Sequence, residues 1–208
     1  MKMRNILSIL ALAVLLPVSA IAAPIYQQGN ISTADRGAYQ YFGQALADDF
    51  VAVSTGAISN ATWTGSYYGN IKSSGSESFT FNIFAGGSTP GALLYSSVGT
   101  ASFVASATPS YFDYSLNLLG PILNAGSQYW VSIYSNDSPQ NYAWANSFDG
   151  TSSGALSNFG GAWRDITGDR RANHVFALNG SAVVPEPATL ALLGLGLFGM
   201  GFARKAKQ

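Results

Sequence analysis

The stretch Gly150-Thr151-Ser152-Ser153-Gly154 fits the G-x-S-x-G pattern of a serine hydrolase. Asp165 or Asp169, and then His174, follow it in the chain order such enzymes use. The chemistry would be acyl transfer, with a serine nucleophile and His174 as its base. That mechanism needs the serine on a tight strand-to-helix turn of an α/β sheet. No βαβ pattern is present, and in a chain this rich in glycine and serine a match by chance is cheap. His174, the only histidine, reads instead as a residue at the start of the last strand.

Carboxylates offer a second kind of chemistry. Asp48 and Asp49 are adjacent, so on a strand they point to opposite faces and cannot act as an acid–base pair. Asp165 and Asp169 stand beside Arg164, Arg170 and Arg171, where ion pairing is the plainer reading. Extracellular β-domains also use carboxylates and carbonyls as hard oxygen ligands for calcium. Asp49 and Asp165 are the candidates for that role, although no run has EF-hand spacing. No other cofactor is expected.

Aromatic spacing gives the third candidate. In "QYWVSIYS", Trp130 and Tyr134 share the face opposite Val131 and Ile133, and Tyr142 and Trp144 form a second same-face pair. Rings outside a sheet stack on the apolar faces of sugars, so these four residues are candidate glycan contacts. The competing reading is that large aromatics fill the core, and a one-residue slip of register would put Trp130 there.

The elements that must position these residues are strands. "SFTFNIF" places Phe79, Phe81 and Ile83 on one face and Thr80 and Asn82 on the other; "YFDYSLNL" alternates in the same way. Turn residues separate the runs at Gly86-Gly87, Pro90-Gly91, Gly120-Pro121 and Asn124-Ala125-Gly126. Strands are expected at residues 49–53, 58–67, 78–84, 92–97, 111–118, 128–135, 142–146 and 174–179. Many short strands with one apolar face imply an all-β fold, an antiparallel β-sandwich of jelly-roll type.

The chain has 208 residues and no cysteine. Nine of its ten acidic residues but only five of its ten basic ones lie between Ala23 and Val184. That body of 162 residues is the size of one domain and carries a net charge of about −4. It has no basic stripe, which argues against a nucleic-acid partner.

Both ends are apolar. Lys2 and Arg4 precede an apolar run from Ile6 to Val18, and Ala20-Ile21-Ala22 supplies small residues for a signal peptidase. Residues 1–22 therefore read as a signal peptide cut after Ala22, with Ala20 and Ala23 as alternatives. At the other end, residues 188–203 carry no charge, and Arg204, Lys205 and Lys207 follow. As a transmembrane helix this segment reaches about 24 Å against a hydrocarbon core of ~30 Å. The basic tail (204–208) would hold the C-terminus in the cytoplasm. Gly194, Gly196, Gly199 and Gly201 weaken the helix further.

Val184-Pro185-Glu186-Pro187-Ala188-Thr189, the apolar run and the basic end together resemble the PEP-CTERM sorting signal, over residues 185–208. The resemblance implies an exosortase substrate of a Gram-negative bacterium. It would be anchored briefly in the inner membrane, then processed and delivered to the cell surface or an exopolysaccharide-rich biofilm matrix. The pieces "ADDFVA", "TPGALLYSS", "LNAGSQYWVSIYS", "YAWANS" and "HVFALNG" are similar to β-sandwich domains found ahead of such signals, a group that implies no activity.

Two function classes follow for the body. The first is a non-enzymatic surface or matrix protein, structural or glycan-binding. The second is a secreted carbohydrate-active hydrolase or lyase. Lack of cysteine, a single histidine and few carboxylates favour the first. Ice binding would require a regular threonine-rich face, and no threonine repeat occurs.

Overall fold

Alternation of apolar and polar residues decides where most of this chain becomes strand. The computed structural model describes residues 24–29, 38–39, 44–67, 74–137, 141–147, 155–159, 161–165 and 173–182. The expected signal peptide, the G-x-S-x-G stretch, Asp169 and the expected sorting signal, with Pro185, Glu186, Pro187, Arg204, Lys205 and Lys207, lie outside the described residues.

In chain order the strands are β1 (Pro24–Gln28), β2 (Ala38–Tyr39), β3 (Ala45–Val51), β4 (Gly56–Tyr67) and β5 (Ser74–Ala85). There follow β6 (Leu93–Ala105), β7 (Tyr111–Asn117), β8 (Ile122–Leu123), β9 (Gln128–Ser135) and β10 (Tyr142–Trp144). The last are β11 (Asn146–Ser147), β12 (Leu156–Phe159), β13 (Ala162–Asp165), β14 (Asn173–His174) and β15 (Phe176–Ala182). The fold is all-β and antiparallel. One hydrogen-bonded path runs β1-β15-β4-β7-β6-β5-β9-β3-β12-β13; β10 and β8 also pair with β4, and β2 pairs with β10. Among the described residues no helix is long and apolar enough to cross a membrane.

The path does not lie flat. Trp63 on β4 is three strand positions from Phe79 on β5, about 14 Å in a flat sheet. Their ring centroids are 5.0 Å apart. Tyr26 on β1 and Phe50 on β3 are seven positions apart, roughly 34 Å if flat, yet their rings meet at 5.1 Å. The sheet therefore turns over on itself and encloses an aromatic core. Trp63 stacks on Tyr114 at 5.3 Å and 5°, and Phe79 meets Tyr142 edge-on at 5.2 Å. The long β6 makes the turn, pairing with β5 along most of its length and with β7 over its last residues.

The register follows the alternation. Phe79, Phe81, Ile83, Tyr114, Leu116, Val131 and Ile133 are all buried, and Asp113 faces water. Asn82 and Ser132 are nevertheless buried as well, because β9 is covered on both faces. The cover comes from the hairpin of β12 and β13, which is not among the strands expected from the alternation. Trp163 on β13 is four strand positions from Phe84 on β5, roughly 19 Å if flat. Their rings meet at 5.8 Å, so this end of the sheet curls back over the outer face.

Two glycines are required by geometry. A Cβ on Gly65 would come within 2.5 Å of the Tyr142 ring. Gly126 has φ +77° in the turn before β9, which a side chain would strain.

Candidate functional site

The four aromatic candidates do not form a platform. Trp130, Tyr142 and Trp144 are each 0% exposed. This corrects the expectation of exterior rings: the face assignment of Trp130 holds, but that face is covered. Its indole Nε1 donates to the carbonyl of Gly87 at 3.1 Å. Tyr142 packs between Tyr67, Phe79 and Tyr114, and burial raises its hydroxyl pKa well above the ordinary value. Trp144 Nε1 donates to the Val175 carbonyl at 3.0 Å. Tyr134 alone stays half-buried, paired across β5 with Thr80.

The carboxylates separate as strand geometry requires. Asp49 lies on the Trp130 face and accepts from Gln128 Nε2 at 2.9 Å. Asp165 is not in a loop but on β13, opposite Leu156, which in turn pairs with Ala47 of β3. Two strand spacings, about 9–10 Å, therefore separate the backbone of Asp165 from β3 and keep it apart from Asp49. Among the described residues no group of three or more His, Cys, Asp or Glu is placed to hold a metal ion.

Asp48, on the opposite face, is the centre of an interior clasp. It is fully buried and accepts from the His174 backbone N–H at 2.5 Å and from Gln28 Nε2 at 3.1 Å. Gln28 Nε2 also donates to the His174 carbonyl at 2.9 Å, and Tyr26 donates its hydroxyl to Gln28 Oε1. The clasp thus ties β1, β3 and β14. Burial pushes the Asp48 carboxyl up to about 8 against the opposing pull of these hydrogen bonds, with Asp49 adding to the rise. Burial, then the charges of Asp48 and Asp49, raises Tyr26 to about 12. His174 is enclosed, its ring stacked on Trp144 at 4.4 Å and 16°, and burial lowers its pKa to about 3. Neither ring nitrogen has a partner among the described residues. A general base must lie within hydrogen-bond reach of the proton it takes, and this imidazole is enclosed by protein.

The outer face of β15, β4 and β7 carries a different kind of place. A groove of about 410 Å³ is lined there by Gln27, Thr62, Thr64, Asp113, Ser115 and Val104, with neighbouring backbone. Strand register brings these residues together. Ala177, Thr62 and Ser115 form one row, and Thr64 and Asp113 the next. Thr64 Oγ1 donates to Asp113 Oδ1 at 2.9 Å. Beside them Asn60 shares its amide between Ser115 Oγ (3.0 Å), the Leu116 carbonyl (3.1 Å) and Asn117 Oδ1 (3.2 Å). Asp113 is the only residue of the lining with a formal charge. Sequence reading missed this groove. Its polar members are the outward halves of alternations at positions 62, 64, 113 and 115, and only pairing shows that they meet.

The described residues thus define an antiparallel all-β domain with an enclosed aromatic core and one polar outer groove. Residues 183–205 match the PEP-CTERM protein-sorting motif, which includes Pro185, Glu186, Pro187, Arg204 and Lys205. The motif implies processing by an exosortase and export to the cell envelope or surface. No curated protein and no solved structure matches the chain.

Proposed function

We propose that this protein is a non-enzymatic component of the cell surface or extracellular matrix, structural or glycan-contacting, within an exopolysaccharide-rich biofilm. The observation that carries the reading is the sorting motif at residues 183–205. Signal peptidase removes residues 1–22, the segment 188–203 anchors the chain briefly in the inner membrane, and exosortase processing sends the body outward. Two features of the body support this account. The first strand begins at Pro24 with Ile25 buried, so a cut after Ala22 leaves it whole. His174 is sealed inside, which weighs against its serving as the base of the hydrolase alternative. The turned-over sheet supports the jelly-roll type of sandwich, and the acidic body supports partners other than nucleic acid.

Fractionation of the native host tests the reading. Deleting the exosortase leaves the chain from Ala23, with its C-terminal segment still attached, in the inner-membrane fraction, and Glu186→Ala slows its departure without preventing insertion. Equal amounts at the surface with and without the exosortase would contradict it.

A further inference from the structure

We propose that the groove over β15, β4 and β7 binds a neutral, polyhydroxylated polymer, a polysaccharide without acidic groups. This rests on the glycan-contacting reading above and names its site and ligand class.

Charge argues first. The lining holds no Lys, Arg or His, and its one charged group is the exposed carboxylate of Asp113. An anionic polysaccharide or a nucleic acid would meet that charge with no cation to offset it. A sugar hydroxyl suits it: Thr64 donates to Asp113 Oδ1, no hydrogen bond among the described residues reaches Oδ2, and the residue is exposed. A hydrogen bond to a charged acceptor is roughly twice as strong as a neutral one.

Shape and order argue next. Thr62 and Gln27 make no side-chain hydrogen bond among the described residues, so their groups are available to a ligand. The polar side chains sit in cross-strand rows on β4 and its antiparallel neighbour β7, with Ala177 of β15 completing the first row. Rows repeat at about 6.7 Å along a strand, and strands at about 4.8 Å, which presents many contacts to an extended chain. The third row, Asn179, Asn60 and Asn117, continues the polar face beyond the groove, and Asn179 Nδ2 donates to Asn60 Oδ1 at 3.3 Å. This network holds the amides in place before a ligand arrives, which lowers the entropy cost of binding. A protein partner would seek large aromatic anchors, and the side chains offered here are short.

The test uses the mature protein purified from its host, in affinity electrophoresis and calorimetry, with and without calcium. The probes are dextran, cellohexaose and galactomannan as neutral chains and polygalacturonate as an acidic one. The expected result is binding to at least one neutral probe and none to polygalacturonate. Asp113→Ala weakens that binding about tenfold and Thr62→Val several-fold. Both positions are on the surface side of the sheet, and unchanged thermal midpoints show that the variants fold. A neutral probe bound equally well by both variants overturns the site and leaves the glycan reading standing. Preference for polygalacturonate overturns the ligand class. No binding to any probe sinks both this inference and the glycan-contacting reading, leaving a purely structural role.

Discussion

The interior clasp around Asp48 and the outer groove around Asp113 use the same chemical vocabulary with opposite results. Each sets an aspartate against neutral donors from other strands: Gln28 and the His174 backbone in one case, Thr64 in the other. Asp48 is fully buried, so its carboxyl is pushed up to about 8 and every bond it makes is to the protein. Asp113 is exposed, and no hydrogen bond among the described residues reaches its second oxygen. Water access, more than residue type, decides whether a polar group holds the fold together or meets a ligand.

The aromatic residues sharpen that lesson most strongly. If enclosure rules, Trp144→Ala removes a 0%-exposed indole that stacks on His174 and meets Phe176 at 5.8 Å. The expected loss is about 3–5 kcal/mol of stability, read as a fall in urea midpoint, while Tyr134→Ala costs far less. Equal and small losses at both would return Trp144 to the surface.

A smaller effect reads the clasp by pH. The folded pKa of Asp48 lies above its unfolded value of 3.8, so its contribution is full below about 4 and is lost as pH rises toward about 8. His174 is lowered from 6.5 to about 3, so its contribution is present above 6.5 and is lost as pH falls toward 3. Between 4 and 6.5 the two slopes oppose each other. Above 6.5 only the Asp48 slope remains, and stability falls by up to about 1.4 kcal/mol per pH unit for one proton. Asp48→Asn keeps an acceptor for the His174 N–H and cannot ionise. Chemical denaturation from pH 6.5 to 8 is therefore expected to show a decline in the wild type that the variant lacks. A decline of the same size in both would place the titration elsewhere.

Much of this was legible before any coordinates. The alternations in β5, β7 and β9 named the core side chains, because a buried face demands apolar residues at every second position. The opposite faces of Asp48 and Asp49 follow from the same rule. What failed was the inference from face to exposure. Ser132 reads as polar whether or not a layer covers it, and the layer comes from β12 and β13, four-residue strands hidden among glycines and serines. β1 was missed because it begins where the expected signal peptide ends. The groove had no local signal at all, since Thr62, Asp113 and Ala177 are joined only by register.

Clasp and groove alike belong to a body whose sorting motif implies export, and the proposal is that the two apolar ends deliver it. The most direct test of that claim is the intact mass of the protein released at the host surface. The account predicts a chain beginning at or within a few residues of Ala23 and ending near Pro185-Glu186-Pro187, with the released form absent from a host lacking the exosortase. A released protein that still carries Arg204 to Gln208 would contradict it and make the C-terminal segment a permanent anchor.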